Sequence, residues 1–162
     1  MTIINQESDN LDEIMGSMND FIIGSGLPVI AIPIDGGKDF TGKNIVVAWD
    51  GSKECAKATH DALPFLKLAD KVIVVTISEE EKMQLPQNDI CVHLARHGVN
   101  AEAMTLRDNV PVGKRLLETA ESTGADLIVA GAWGHQRLRE LIFGGVTRKL
   151  ISNQKKVVFL AH

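Results

Sequence analysis

The feature that most limits how this chain folds is a regular alternation of apolar strands and amphipathic helices, which starts at Lys43. Segments with apolar residues three and four apart predict four helices, and short runs rich in Val, Ile and Ala predict five strands. Near-continuous apolar strands that alternate with helices are typical of a parallel sheet covered on both faces. The predicted fold class is an α/β protein with a doubly wound, five-stranded parallel sheet of the Rossmann-like type. The predicted strands are residues 44–49, 71–77, 101–106, 126–130 and 156–161.

The order of these strands predicts where a ligand binds. Right-handed crossovers favour the spatial order 3-2-1-4-5, counted from the strand at 44–49. The first and fourth strands are then neighbours, and the direction of winding reverses between them. Doubly wound sheets bind ligands at the carboxyl ends of the strands at such a switch point. Because the first strand ends at Asp50 and the fourth at Gly131, these two loops are predicted to meet there.

The loop that follows the fourth strand is rich in glycine. Residues 131–134 read Gly-Ala-Trp-Gly, and after nine further residues 144–147 read Gly-Gly-Val-Thr, where the next helix begins. Glycine lets the backbone approach a ligand closely, and the free N–H groups at a helix start favour an anion such as phosphate. The pattern indicates nucleotide binding, and the alternative is a plain strand–helix turn without a ligand.

Composition and charge exclude several classes of protein. The chain has 162 residues, of which 44% are hydrophobic, enough for the core of one domain, and a net charge of −4. An acidic balance gives no support for a nucleic-acid partner, and no apolar run reaches the roughly 20 residues of a membrane span. Asp9 and Asp12 stand where a signal peptide needs a positive start and an apolar core. We therefore expect a soluble, cytoplasmic protein without nucleic-acid or membrane partners.

Catalytic and metal-binding patterns are missing from the sequence. It contains no Gly-x-Ser-x-Gly and no Gly-Lys-Ser/Thr, so we expect no enzyme activity beyond slow, incidental ATP hydrolysis. His93 and His97 share a helix face near Cys91, but zinc needs three or four ligands and the spacing suggests no third. We therefore predict no metal site, and we expect Cys55 and Cys91 to be free thiols.

Residues 1–40 lie outside the alternating unit, which occupies 41–162. They contain a helical pattern at 11–23 and a predicted strand at 28–33, a weak repeat of the helix and strand that close the chain. Two interpretations are open: an N-terminal arm that packs on the domain, or the remnant of a preceding copy in a tandem protein, with 35–38 as a linker. We favour the remnant.

Residues 44–161 resemble a domain of the universal stress protein family. The signature of that family is Gly-x-x-Gly, nine residues and Gly-Ser/Thr, and its three glycine positions fall on Gly131, Gly134 and Gly144. The end of the first strand, Ala-Trp-Asp-Gly-Ser at 48–52, is also similar to the opening of the family's domain.

The resemblance implies a regulatory domain of the stress response that binds an adenine nucleotide, ATP or AMP, with or without Mg²⁺. In nucleotide-binding members the aspartate of the first strand and a residue near the end of the second flank the adenosine. The glycine loop of those members holds the ribose and the phosphates. Carried onto this sequence, the binding positions are Asp50, Ile77, Gly131, Gly134, Gly144, Gly145, Val146 and Thr147.

One position departs from the signature. Gly145 stands where the family has Ser or Thr, so a hydroxyl that donates to phosphate is missing, a hydrogen bond worth roughly 0.5–1.5 kcal/mol. Thr147 supplies a hydroxyl two residues later. Because the family also contains members that bind no nucleotide, the alternative function is a dimeric interaction module of the same fold without a ligand.

The last predicted strand points to a partner. Phe159 and its neighbours form an apolar strand at the edge of the predicted sheet, which favours pairing with another chain. The resemblance likewise implies a homodimer through this strand, and an unidentified regulatory protein as a further partner. The strand at 28–33 either competes for that edge or adds a second one.

Overall fold

The structure, a computed structural model, describes residues 1–6, 20–37, 40–78, 87–107, 109–132, 145–153 and 155–162. Its strands are β1 (Thr2–Gln6), β2 (Val29–Pro33), β3 (Asn44–Ala48), β4 (Lys71–Ser78), β5 (Ala101–Arg107), β6 (Leu127–Gly131) and β7 (Val157–Ala161). Its helices are α1 (Lys53–Asp61), α2 (Leu63–Leu66), α3 (Gln87–Arg96), α4 (Val112–Ser122) and α5 (Gly145–Ile151). A further helical segment spans 20–25. None of the helices in these ranges is long and apolar enough to cross a membrane.

The seven strands form one sheet in the order β1-β2-β7-β6-β3-β4-β5. Every neighbouring pair is parallel except β2 and β7, which are antiparallel. The strands β3 to β7 take the predicted order 3-2-1-4-5, so the doubly wound fold is confirmed. The predicted count of five strands is too low, because β1 and β2 extend the sheet beyond β7 and make it a mixed one.

Helices cover both faces of the sheet, which explains why its central strands carry no polar face. Val46 of β3 packs into a cluster with Leu116 of α4 and Leu150 of α5. Its neighbour Val47 points to the opposite face and packs into a second cluster with Leu94 of α3. All five side chains are buried, so the alternation of the strand places apolar groups in two separate core layers.

The first residues of the chain form what we call the N-terminal unit, which consists of β1, the helical segment 20–25 and β2. The sequence did not predict β1, because Thr-Ile-Ile-Asn-Gln is short and partly polar. Ile22 of the helical segment is completely buried in the same cluster as Leu150. The unit repeats the arrangement of β6, α5 and β7, in which two parallel neighbouring strands are joined through a helix. Such an arrangement fits an arm as well as a tandem remnant, and the domain boundary at residue 40 stays a prediction.

The prediction that the last strand lies at the edge of the sheet is wrong. β7 has β6 on one side and β2 on the other, with Val29 opposite Leu160 and Ala31 opposite Val158. Phe159 is therefore completely buried. The physical reason is that β2 is itself apolar and pairs with the N–H and C=O groups that an edge strand leaves open. Two copies of the chain can pair through β7 only if β2 leaves it.

Hydrogen bonds to Asp126 hold the segment that leads from the N-terminal unit into β3. Asp126 Oδ2 accepts hydrogen bonds from the backbone N–H and the hydroxyl of Thr41, both at 2.6 Å, and from the backbone N–H of Gly42 at 3.1 Å. Hydrogen bonds to a charged acceptor are stronger than those between neutral groups. The start of β3 is thereby held against the start of β6.

Two neighbouring isoleucines test whether the N-terminal unit is an integral part of the fold. Ile22 is 0% exposed and Ile23 is 51% exposed, both within the segment 20–25. Ile22→Ala should lower the free energy of unfolding by about 2–4 kcal/mol because it leaves a cavity in the core, whereas Ile23→Ala should change it by less than about 0.5 kcal/mol. Urea unfolding followed by circular dichroism measures both. Equal midpoints for the two variants would mean that the unit opens independently of the domain.

Candidate functional site

A tight turn joins β3 to α1 at the carboxyl end of the sheet. Asp50 Oδ1 accepts a hydrogen bond from the backbone N–H of Ser52 at 2.9 Å, and Gly51 between them has a φ of 77°. Ser52 is the N-cap of α1, since its side chain accepts a hydrogen bond from the backbone N–H of Cys55 at 3.1 Å. The sequence predicted this cap. The turn leaves the Asp50 side chain exposed at the end of the strand.

The end of β6 lies directly against the start of α1. A Cβ added to Gly131 would lie 2.6 Å from the backbone nitrogen of Cys55 and 2.8 Å from the carbonyl carbon of Glu54. Both atoms belong to the backbone and cannot move aside, so any larger residue would push α1 away from the strand. The loops after the first and fourth strands of the unit therefore meet as predicted, and Gly131 has a packing role of its own.

The Cys55 thiol lies where the two loops converge. It interacts with the side chains of Asp50 and Ser52 and with the backbone of Gly131. Burial raises the pKa of this thiol to about 11, the hydrogen bond with Ser52 lowers it, and the negative charge of Asp50 raises it further. A thiol with so high a pKa stays protonated at neutral pH and is a poor nucleophile. Cys55 and Cys91 are both free thiols, as the sequence predicts.

Two further predicted site residues pack on one face of the sheet. Ile77, near the end of β4, and Val146, in the first turn of α5, are both partly buried against the same core cluster. That cluster includes Ala130 and Ala132, which lie at the end of β6. The fold thus brings the second strand of the unit and the start of α5 to the face of the switch point that lies opposite α1.

The start of α5 contains the position that departs from the signature. Gly145 is exposed, and no described atom would lie within 4 Å of a Cβ at this position, so a serine side chain has room there. Thr147 is only 3% exposed, so its hydroxyl belongs to a buried side chain. The hydroxyl predicted to replace the missing one is therefore less accessible than the sequence suggested.

The remaining residues of the glycine loop lie outside the described part of the chain. This applies to the predicted site residues Gly134 and Gly144, and to Trp133 and His135 of the same loop. The tryptophan that ends the first predicted strand is described. Trp49 is partly buried against the core cluster that contains Val47, and its backbone oxygen accepts a hydrogen bond from the Thr76 hydroxyl at 2.9 Å. That bond joins the ends of β3 and β4.

Sequence reasoning missed Gly113, which sets the position of α5. A Cβ on Gly113 would lie 2.9 Å from the Cβ of Lys149 and 3.3 Å from the Cα of Val146. Only glycine lets α4 and α5 approach this closely, and α5 carries the start of the predicted phosphate site. The available signal was a glycine inside a helical pattern, which costs roughly 0.5–1 kcal/mol relative to alanine and so indicates a packing reason.

The two histidines that were weighed as metal ligands, His93 and His97, lie near a third histidine in the fold. The ring centroids of His93 and His97 are 4.7 Å apart, and His60 of α1 lies 6.4 Å from His97. Desolvation lowers the pKa of His97, and the positive charges of His93, Lys67 and His60 lower it further. Among the residues that the structure describes, no three His, Cys, Asp or Glu side chains are grouped to hold a metal ion.

This chain is similar to known proteins both in sequence and in fold. Residues 42–162 match the sequence profile of the universal stress protein family. No curated protein sequence matches the chain significantly.

Solved structures with the same fold fall into two groups by length. A universal stress protein from Archaeoglobus fulgidus DSM 4304 matches 98% of this chain with a TM-score of 0.74 and 18% identity, and this chain spans 59% of its length. Protein PA1789 from Pseudomonas aeruginosa PAO1 matches 98% of this chain with a TM-score of 0.59 and 17% identity, and this chain spans 61% of the length of PA1789.

A shorter relative matches about three-quarters of this chain. It is a universal stress protein solved in complex with cAMP, which covers 74% of this chain and is itself covered over 96% of its length, with a TM-score of 0.62 and 21% identity. The fold is shared at low sequence identity, and the profile match covers most of the chain. This chain belongs to the universal stress protein family.

Proposed function

We propose that this chain is a regulatory domain that binds an adenine nucleotide, ATP or AMP, at the carboxyl ends of β3 and β6. The observation that carries the proposal is the convergence of Asp50 and Gly131 on Cys55, which unites the two loops of the switch point. The relative solved with cAMP supports a ligand of this chemical class.

The described residues fit such a ligand. Asp50 has an exposed carboxylate that can accept hydrogen bonds from ribose hydroxyls, and half-buried Ile77 offers an apolar contact for the adenine. The open space at Gly145 admits a phosphate, which the backbone N–H groups of Gly145, Val146 and Thr147 would bind, with Mg²⁺ as an accompanying ion. The loop residues Gly134 and Gly144 complete the proposed set.

The proposed role is regulatory and not enzymatic. The Cys55 thiol, which lies at the site, is protonated at neutral pH and is a poor nucleophile. We propose that bound nucleotide orders the start of α5 and thereby changes the surface that a regulatory protein recognises. The proposed setting is the cytoplasm, where adenine nucleotides are abundant.

A ligand-free interaction module of the same fold is the second candidate. The observation that favours it is Gly145, because the hydroxyl of the family signature is missing there and the Thr147 side chain is buried. Either function is compatible with a homodimer. Pairing through β7 would require the displacement of β2, which occupies that edge.

Two aspartates in similar turns provide a matched test of the nucleotide site. Asp50 and Asp35 are both exposed, and each accepts a hydrogen bond at 2.9 Å from the backbone N–H two residues further on. Only Asp50 lies at the switch point. Asp50→Ala should weaken ATP binding about tenfold or more, because a hydrogen bond to a charged group is lost, and Asp35→Ala should leave it unchanged.

Isothermal titration calorimetry with ATP, AMP and GTP measures these affinities. Saturable binding of an adenine nucleotide with the predicted difference between the two variants would support the proposal. An absence of binding at millimolar ATP would refute it and leave the ligand-free module.

Gly145→Ser restores the family's hydroxyl at a position with room for it. Since one additional hydrogen bond to phosphate contributes roughly 0.5–1.5 kcal/mol, ATP affinity should rise about two- to tenfold. Gly24→Ser is the control, because Gly24 also has no described atom within 4 Å of an added Cβ and lies in the N-terminal unit. The same titrations measure both. Equal affinities for the two serine variants would show that position 145 does not contact phosphate.

A further inference from the structure

The two outer strands of the sheet differ in how they are protected. In the described part of the chain, β5 and β1 lie at the two ends of the sheet, each with one edge that faces no other strand. β5 carries exposed charges at Glu102 and Arg107, which oppose pairing with a further strand. β1 reads Thr-Ile-Ile-Asn-Gln and contains no charge, no proline and no glycine. Of the two outer strands in the described part of the chain, β1 is therefore the one without charged side chains along its edge.

Apolar side chains are exposed on β1 and at other positions within residues 1–34. Ile4 packs on the core, while Ile3 points to the opposite face beside its register partner Ile30 and is 60% exposed. Of the eight large apolar side chains exposed in the described residues, five belong to residues 1–34. Those five are Met1, Ile3, Ile23, Leu27 and Ile34. The N-terminal unit thus combines an open strand edge with the exposed side chains of Ile3 and Ile23, and Met1, Leu27 and Ile34 are exposed in the residues that flank its elements.

The backbone groups of β1 define what kind of partner fits. The backbone N–H of Thr2 donates to the carbonyl oxygen of Pro28 at 3.0 Å, on the side of β2. Because successive residues of a strand point their N–H and C=O groups to alternate sides, those of Ile3 and Asn5 point away from β2. Another extended strand can form hydrogen bonds with this row of backbone N–H and C=O groups.

We propose that the outer edge of β1 is a self-association surface, on which a second copy of this chain adds its own β1 in antiparallel orientation. Antiparallel pairing of two identical strands has two-fold symmetry, so one surface serves both copies. An uncharged strand pairs with itself without repulsion between like charges. The chain already joins its N-terminal unit to the rest of the sheet in this way, through antiparallel β2 and β7.

This interface is small and differs from pairing through β7. Two five-residue strands bury less than the roughly 1,200–2,000 Å² of a standard stable interface, so we expect a dissociation constant on the order of micromolar to hundreds of micromolar. The flanking side chains Met1 and Ile3 contribute the apolar part. The association leaves β2 in place on β7, and it does not depend on nucleotide.

Two exposed apolar residues provide the variants that test this surface. Ile3→Lys places a charge on the edge of β1, whereas Leu68→Lys makes the same kind of change at a side chain that is 74% exposed in the turn after α2. Sedimentation equilibrium of the full chain from low micromolar to near-millimolar concentration gives the dissociation constants. We expect a dimer for the wild type and for Leu68→Lys, and at least tenfold weaker association for Ile3→Lys. Thermal unfolding should show that both variants are folded, because both side chains are exposed.

Amide hydrogen exchange locates the interface independently of the variants. Raising the protein concentration should slow exchange at the Ile3 and Asn5 amides, while exchange at the amides of the opposite edge strand β5 stays constant. A wild type that is monomeric over the whole range would overturn the proposal and leave the edge to a strand of a different polypeptide. A dimer that Ile3→Lys does not weaken would overturn it as well, and would place the interface elsewhere.

Discussion

The backbone contact between Gly131 and the start of α1 is the constraint on which the candidate site depends. A side chain at position 131 would reach within 2.6 Å of the Cys55 nitrogen, and α1 would have to move away from β6. The turn that carries Asp50 would move with it, because Ser52 caps the helix. The close packing of α1 against β6 thus requires glycine at position 131 even when no ligand is bound. The presence of this first signature glycine is therefore no proof of nucleotide binding.

A second glycine contact fixes the opposite side of the site. Gly113 lets α5 lie close to α4, and Val146 in the first turn of α5 packs against the core cluster that contains Ala130 near the end of β6. The contact at Gly131 therefore lies on the face of the sheet covered by α1, and the contact at Gly113 lies on the face covered by α4 and α5. Two close approaches of backbone, one on each face, position the loops of the switch point. Loops anchored in this way can vary in sequence while the geometry at their ends is kept.

The alternation of strands and helices was sufficient to predict the order of β3 to β7, because buried parallel strands need helices on both faces and right-handed crossovers leave few arrangements. The meeting of Asp50 and Gly131 follows from that order. β1 could not be predicted, since Thr-Ile-Ile-Asn-Gln has no long apolar run. The sequence left open whether the strand at 28–33 takes the edge beside the last strand or adds a second edge, and the pairing of β2 with β7 shows that it takes that edge. Gly113 was missed because its partner Lys149 is distant in sequence.

Because β2 pairs with β7 and β1 pairs with β2, the outermost strand on this side of the described sheet is β1 and not β7. β1 lies three strand positions from β6, so at a spacing of about 4.8 Å per strand it is roughly 14 Å from the switch point. The proposed nucleotide site and the proposed β1 surface are therefore separate and can be occupied together. Two contacts join the N-terminal unit to the elements of the site. One is the antiparallel pairing of β2 with β7, and the other is the core cluster that Ile22 shares with Leu150 of α5.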